Sequence, residues 1–200
     1  YNLSENEKAD KLKSLKEQPS YQIIDEIPFW SNGDTYTNKK RNKLYRYNLS
    51  KDELTPITDD FTNVDYYSVD SDRKNVVFLT SSFIDKMSLT TQLNLYSVES
   101  DKYEKISPFK NFDYSYCDFI RYRIIFIGKE GKSFGINENP SIYTVELDGS
   151  NPTLLLSSDA GLYNSVGSDC RYGGSQSIKI HGDFLYYTTT NGPCSYINKL

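Results

Sequence analysis

Short runs in which hydrophobic and polar residues alternate dominate the chain from about residue 21 onward. One such run covers residues 44–47 (LYRY), and similar runs begin at Leu95, Ile142 and Tyr196. Alternation over a few residues is typical of a strand with one face buried and the other in water. Because the runs begin about 50 residues apart, the sequence predicts a strand that recurs in each of several structural repeats.

Two further strands accompany this recurring strand. An apolar strand precedes it at residues 75–79, 123–127 and 183–187. A shorter strand follows it at residues 54–57, 103–106 and 153–156. A period of about 50 residues with four short strands is the signature of a β-propeller blade. Four-stranded sheets of this kind pack face to face because a single one cannot bury both of its faces.

These repeats divide the chain into a short lead-in and one larger region. Residues 1–20 are predicted to form a helical lead-in or linker, and residues 21–200 a partial β-propeller of about three to four blades. The blade repeats are placed near residues 21–58, 62–107, 113–157 and 176–200. We therefore predict an all-β fold of antiparallel four-stranded blades with a short N-terminal helix. A closed ring usually needs more blades, so we expect the chain to be part of a larger protein.

The lead-in carries the signals of a single helix over residues 3–18. Ser4 is a suitable N-cap, and Glu7 three residues later completes a capping box. Pro19 ends the helix because a proline cannot continue the helical hydrogen bonds. The many charged residues of this segment favour a solvated linker over a partner-binding helix.

The segment of residues 25–49 is predicted to form strands on either side of a charged turn. Ser31, Asn32, Gly33 and Asp34 supply a first turn, and residues 38–43 a second one in solvent. The basic tip at residues 39–41 is interpreted as solvated. The alternative is that the tip contacts another domain or a neighbouring subunit.

Composition and charge exclude several classes of partner. The chain has 200 residues, 18 of them Tyr, with a net charge of −4 and 25% charged residues. No basic stripe is available to displace counterions from phosphates, so no nucleic acid partner is predicted. No apolar run approaches the roughly 18 residues of a membrane span, and the chain does not start with a signal peptide. No membrane partner is therefore predicted.

Three cysteines, Cys117, Cys170 and Cys194, occur without CxxC spacing. An odd number without that spacing supports neither a disulfide framework nor a zinc site, so reduced and mostly buried thiols in the cytoplasm are expected. Acidic clusters at residues 59–60, 70–72 and 148–151 lack the pattern of a calcium loop and are interpreted as turns. No cofactor and no metal site are predicted.

Two stretches of sequence resemble a known family. Residues 25–49, DEIPFWSNGDTYTNKKRNKLYRYNL, are similar to a hairpin-bearing run in the propellers of prolyl oligopeptidase-family serine peptidases of the acylaminoacyl-peptidase type. Residues 164–174, NSVGSDCRYGG, resemble a loop of the same propellers. The resemblance implies a peptidase whose propeller limits the access of short peptides to a C-terminal α/β-hydrolase domain with a Ser-Asp-His triad. That domain is absent from this chain.

The residues needed for serine catalysis are not present in the chain. A nucleophile elbow requires G-x-S-x-G, which does not occur, and His181 is the sole histidine. His181 falls in a predicted turn between strands and is interpreted as a solvated turn residue. No catalytic residue is therefore assigned, and the leading hypothesis is a non-catalytic propeller segment of a serine peptidase. The alternatives are a propeller that acts as a binding or sensor module with no attached enzyme, and a structural domain.

One candidate binding position remains, in a glycine-flanked loop. Arg171 could bind a carboxylate or carbonyl of a substrate through its planar guanidinium, with Asp169 beside it. The alternative is a structural ion pair between these two residues. The predicted partners are the hydrolase domain, short peptides and a second copy of the chain. The second copy would pack against open blade faces near Tyr196 and Ile197.

Overall fold

The computed structural model of the protein describes residues 4–16, 21, 23–162 and 177–200. The chain divides into two compact units, Tyr1–Lys39 and Lys40–Leu200. Within the described residues, no helix is long and apolar enough to cross a membrane.

The first unit contains the predicted helix and a small hairpin. Helix α1 (Glu5–Lys16) begins after Ser4, whose Oγ accepts the N–H of Glu7 at 3.4 Å, while a Glu7 carboxylate oxygen accepts the Ser4 N–H at 2.8 Å. The predicted capping box is therefore confirmed. Strands β1 (Trp30–Ser31) and β2 (Thr35–Tyr36) pair across the predicted turn, with the Trp30 and Tyr36 rings edge to face at 5.2 Å.

The described residues of the second unit form four antiparallel sheets in which sequential strands are neighbours. The first sheet has two strands, the next two have four each, and the last has three. They are β3 (Tyr45–Asn48) and β4 (Glu53–Pro56); β5 (Thr62–Val69), β6 (Asn75–Ser82), β7 (Gln92–Ser97) and β8 (Lys102–Lys105); β9 (Asp113–Ile120), β10 (Arg123–Lys129), β11 (Ser141–Val145) and β12 (Thr153–Leu156); and β13 (Ile178–His181), β14 (Phe184–Asn191) and β15 (Cys194–Lys199).

The second strand of each four-stranded sheet is buried on both faces. Along β10, Phe126 enters one core with residues of the second sheet, whereas Ile125 and Ile127 enter another core with residues of the fourth sheet. Along β6, Phe78 faces a third core, beside Leu44 of the segment that leads into the first sheet. Strands buried on both faces read as continuous apolar runs, which explains VVFL and IIFI in the sequence.

An aromatic cluster fills the core between the second and third sheets. The ring of Phe126 stacks on Tyr143 at 5.2 Å and meets Tyr114 at 5.3 Å, with Phe109 and Phe112 at 6.1 Å. The Tyr114 hydroxyl reaches a polar partner, accepting the N–H of Phe109 at 3.1 Å. Burial raises the pKa of Tyr114 to about 12. Aromatic rings thus form a large part of this core, together with aliphatic side chains such as Leu79 and Ile124.

The structure confirms the predicted fold class of antiparallel sheets with one short helix. The recurring strand appears as β3, β7, β11 and β15, and its predecessor as β6, β10 and β14. The first strands β5, β9 and β13 were not individually predicted. An extra residue interrupts the pairing with the second strand in two of them: Asp65 in β5 and Ser115 in β9.

Self-association through the face of the fourth sheet stays a prediction. Ile197 of β15 is 81% exposed, and β15 pairs on one side alone within the described residues. Because exposed apolar area favours pairing, we expect the 200-residue chain to form dimers and the Ile197→Asp variant to form fewer. Light scattering over a range of concentrations measures this, with Tyr122→Asp as a control at another exposed position. A wild-type mass that stays at 23.1 kDa would contradict the prediction.

Candidate functional site

In the two four-stranded sheets, short turns join the strands at one end of the sheet and longer loops join them at the other end. At one end, called the turn end, tight turns join the first and second strands of three successive sheets, at residues 70–74, 121–122 and 182–183. At the opposite end, called the loop end, longer loops join the second and third strands, at residues 83–91 and 130–140. Loops and turns held by a rigid scaffold are the usual place for binding residues.

A cleft of about 770 Å³ lies at the turn end, and we call it the turn cleft. Residues from the turns of all three sheets line it, and a volume of this size suits a small molecule or a few residues of a peptide. Its polar lining includes Asp70, Asp72, Asp118, Arg121 and Asp183.

Asp118 at the wall of the turn cleft joins the second and third sheets. Its carboxylate accepts hydrogen bonds from the Ser68 hydroxyl at 2.5 Å and from the Tyr116 hydroxyl at 2.9 Å. Burial and the neighbouring Asp118 carboxylate raise the pKa of Tyr116, which keeps its hydroxyl protonated as a donor. Asp118 therefore serves as a structural acceptor between sheets.

An ion pair between Arg121 and Asp183 joins the third and fourth sheets at the same cleft. The Arg121 Nε lies 3.2 Å from Oδ1 of Asp183, and both side chains are more than half exposed. An exposed pair of this kind contributes about 0–1 kcal/mol to stability. The guanidinium of Arg121 thus remains accessible to a polar ligand in the cleft.

Three other aspartates, Asp70, Asp59 and Asp148, accept hydrogen bonds from backbone N–H groups of their own turns. Oδ1 of Asp70 accepts the N–H groups of Lys74 and Asn75 at 2.7 and 3.1 Å. Asp59 and Asp148 each accept the N–H of the residue two positions later. Nowhere in the described ranges do three His, Cys, Asp or Glu residues come together in a way that could hold a metal ion. The turn cleft therefore offers carboxylates and the Arg121 guanidinium as groups that can bind polar ligands.

The structure describes only some of the residues that were singled out from the sequence. Arg171 and Asp169, the candidate substrate-binding residues, lie outside the described residues, as does Cys170. His181 is the last residue of β13 and is exposed. Cys117 is fully buried, and burial raises its pKa well above the usual value. The expectation of mostly buried thiols thus holds for Cys117 and not for Cys194, which is exposed.

The prediction of a wholly solvated basic tip is wrong for Arg41. Its guanidinium stacks over the Phe83 ring at 3.8 Å, and Nη2 donates to the Phe83 carbonyl oxygen at 3.2 Å. A planar guanidinium stacks on an aromatic face and still forms hydrogen bonds at its edge. In the first unit, Lys39 forms an ion pair with Asp25 at 2.5 Å.

Asp118 and Arg121 were not predicted from the sequence. For Arg121 the available signal was its position in the repeat, because residues 121–122 occupy the same place between strands as the turns predicted at residues 70–72 and at His181. Equivalent turns of successive sheets come together at one end when the sheets stack.

Comparisons with known proteins show the fold. No protein-family model matches the sequence, and no curated protein matches it. Among solved structures, the acylaminoacyl peptidase of Pyrococcus horikoshii has a TM-score of 0.61 at 15% identity, over 92% of this chain and 27% of that one. An oligogalacturonate lyase in complex with manganese has a TM-score of 0.53 at 12% identity, over 82% of this chain and 46% of that one. Both are β-propeller proteins, and this chain spans less than half of either.

Proposed function

We propose that this chain is a non-catalytic propeller segment of a serine peptidase of the prolyl oligopeptidase family, similar to acylaminoacyl peptidases. In this proposal it limits the access of short peptides to a C-terminal α/β-hydrolase domain outside these 200 residues. The observation that carries the proposal is the match of 92% of the chain to 27% of an acylaminoacyl peptidase, because it relates the chain to one part of a larger enzyme. The resemblance of residues 25–49 to propellers of the same family supports it independently.

A gating role agrees with the physical character of the sheets. Stacked sheets that share cores on both faces form a rigid wall, and a rigid wall excludes folded proteins by size without special residues. Extended peptides with few side chains pass a narrow opening because they present a small cross-section. The turn cleft adds polar groups that an extended backbone can contact. Arg171 and Asp169 remain the proposed contacts to a substrate carboxylate or carbonyl.

The cellular setting is part of the same proposal. Both described cysteines, Cys117 and Cys194, are free thiols, which suits the reducing cytoplasm. The proposed partners are the hydrolase domain and short peptides. The second candidate, a binding or sensor module with no enzyme, shares the fold. Since the two structural neighbours have unrelated activities, the fold itself does not choose between the candidates.

Labelling with a serine-directed fluorophosphonate tests the proposal. We expect the 200-residue chain to remain unlabelled, because it has no nucleophile elbow, and the natural protein that contains it to be labelled at a serine outside residues 1–200. We also expect the natural protein to cleave short peptides at least tenfold faster than the same sequences held within a folded protein.

Two results would contradict this proposal. A natural protein that neither takes the label nor cleaves peptides would favour the binding module. Labelling of the 200-residue chain that disappears when one of its own serines is replaced would show that the chain itself is catalytic. Heat-inactivated protein serves as the control for non-specific labelling.

A further inference from the structure

A cavity of about 330 Å³ opens at the loop end, between the two long loops, and we call it the loop cavity. Leu89 lines it from the loop at residues 83–91, Ile136 from the loop at residues 130–140, and Asp113 from the start of β9. A volume of this size accommodates a small ligand or one long side chain. The loop cavity is thus a second candidate site, separate from the turn cleft.

Hydrogen bonds on both sides of Asp113 fix its position at the wall of the loop cavity. The Thr91 N–H donates to the Phe112 carbonyl oxygen at 3.2 Å. The Tyr114 N–H donates to the Thr91 hydroxyl at 2.7 Å, and this hydroxyl donates to the Tyr114 carbonyl oxygen at 2.8 Å. On the other side, a Cβ added at Gly128 would lie 2.4 Å from the Asp113 carbonyl oxygen. The loop of the second sheet and strand β10 therefore hold Asp113 between them, as a binding residue requires.

The Asp113 carboxylate has no direct partner among the residues that the structure describes. It is partly buried, yet it accepts no hydrogen bond and forms no ion pair there. Lys129 lies opposite it on β10, but the Lys129 ammonium donates to the Ile136 carbonyl oxygen at 2.6 Å. Glu130 pairs with Lys132 at 2.5 Å. A partly buried carboxylate without a donor is costly, and a ligand that supplies the donor relieves this cost.

The charges around the loop cavity favour a cation over an anion. Two carboxylates, of Asp113 and Glu130, and one ammonium, of Lys129, contribute to its lining. Burial raises the pKa of Asp65 on the neighbouring strand β5, and the Asp113 charge raises it further. The Asp65 carboxylate accepts the Ser81 hydroxyl at 3.0 Å, so it adds negative potential without being a free ligand group. An anionic ligand would meet this excess of negative charge and be repelled.

Apolar side chains at the rim define the rest of the ligand. Leu89 and Ile136 are 74% and 68% exposed and lie on the two loops that flank the cavity. A chain of methylene groups packs on such side chains while a charged end reaches a carboxylate. The loop that carries Ile136 is ordered by Glu138, whose carboxylate accepts the Ser133 N–H at 2.9 Å. An ordered rim lowers the entropy cost of binding.

We propose that the loop cavity binds an aliphatic primary ammonium group on a short apolar stem, as in a lysine side chain. Asp113 is the counter-ion, and Leu89 and Ile136 contact the stem. A charge-assisted hydrogen bond from the ammonium to the carboxylate supplies the donor that Asp113 lacks. The inference goes beyond the proposed function and does not depend on it, because the same cavity would serve in a propeller without an attached enzyme.

Titration of the isotope-labelled 200-residue chain with n-butylammonium, followed through amide chemical shifts, tests this site. n-Butylammonium is the lysine side chain without its backbone. We expect saturable shift changes at Asp113, Lys129 and Gly131, and none at Gly182 in the turn cleft. 1-Butanol has nearly the same shape and no charge. We expect it to bind at least tenfold more weakly, because it cannot form an ion pair with the carboxylate.

Two variants separate the carboxylate from the apolar rim. Asp113→Asn is expected to raise the Kd of n-butylammonium at least tenfold. Asp85→Asn is the matched control and is expected to change the Kd less than twofold, because it removes the same charge from the loop at residues 83–91 at a position outside the cavity lining. Leu89→Ala is expected to raise the Kd of n-butylammonium at least threefold and to leave that of methylammonium unchanged, since methylammonium has no stem.

Three results would overturn the proposal. The first is the same Kd in the wild-type chain and in Asp113→Asn, and the second is equal binding of n-butylammonium and 1-butanol. The third is a set of shift changes at the turn end in place of the loop end, which would assign the cation to the turn cleft. If Asp113→Asn loses the dispersed amide spectrum of a folded chain, the comparison with 1-butanol and the Leu89→Ala variant decide the question.

Discussion

Replacing Phe126 with alanine is expected to lower the free energy of unfolding of the 200-residue chain by about 3–5 kcal/mol. Phe126 is fully buried, stacks on Tyr143 and touches further rings in the core shared by the second and third sheets. Removing its ring loses apolar burial and leaves a cavity that the surrounding rings cannot close, because their positions are fixed by each other. Since whole domains are stable by about 5–15 kcal/mol, the loss is a large fraction of the total.

Urea unfolding followed by tyrosine and tryptophan fluorescence measures this change. The matched control is Phe134→Ala, which removes the same side chain from an exposed position and is expected to change the unfolding free energy by no more than about 0.5 kcal/mol. If Phe126→Ala also cost less than 1 kcal/mol, the aromatic cluster could not be the core that joins the two sheets.

Replacing Gly149 with alanine is expected to destabilise the chain by about 2–5 kcal/mol. Gly149 has a φ of +83°, which disfavours a side chain, and an added Cβ would lie 2.5 Å from the carbonyl oxygen of Ile106. Backbone strain and a collision with rigid backbone therefore act together. This turn of the third sheet contacts the segment that follows β8 of the second, so the collision would push the sheets apart.

Gly192→Ala separates the two effects. Gly192 also has a positive φ, of +56°, but nothing lies within 4 Å of the added Cβ. Strain alone is therefore expected there, at about 1–2 kcal/mol, in the same urea unfolding measurement. Equal losses in the two variants would show that the close approach of Gly149 to Ile106 does not contribute.

Strands that are buried on both faces were the easiest part of the fold to predict. The runs around Val77 and Ile125 are continuously apolar because each face meets a different core, and this pattern repeats at the spacing of the sheets. The capping box at Ser4 and Glu7 is equally local, since it needs just four neighbouring residues. Signals that are contained within one element are visible in the sequence.

Strands β5 and β9 were not individually predicted because their alternation is broken. The extra residue at Asp65 or Ser115 shifts every later side chain of the strand to the other face. A period-two pattern then fails across the strand although the backbone stays extended. The wrong prediction for Arg41 has a different cause, because its partner Phe83 lies 42 positions away and no local pattern reports that contact.

The residues of the candidate site could not be predicted together, because contacts between repeats bring them into one place. Ser68 and Asp118 form a hydrogen bond across 50 positions, and Arg121 meets Asp183 across two successive sheets. Each residue alone reads as an ordinary turn or strand residue, and the stacking of equivalent turns is what brings them into one cleft. The residues that the sequence did select, Arg171 and Asp169, lie outside the described residues.

The three shared cores have a consequence for how such a molecule can grow during evolution. Each core lies between two neighbouring sheets, and among the described residues each four-stranded sheet contributes to two cores, one on each of its faces. A duplicated repeat therefore carries one apolar face that packs against the copy before it and another that packs against the copy after it. Gene duplication can lengthen the series without the redesign of any existing interior. The residues under the strongest constraint are then those on the shared surfaces, while the turns at either end are free to diverge toward new ligands.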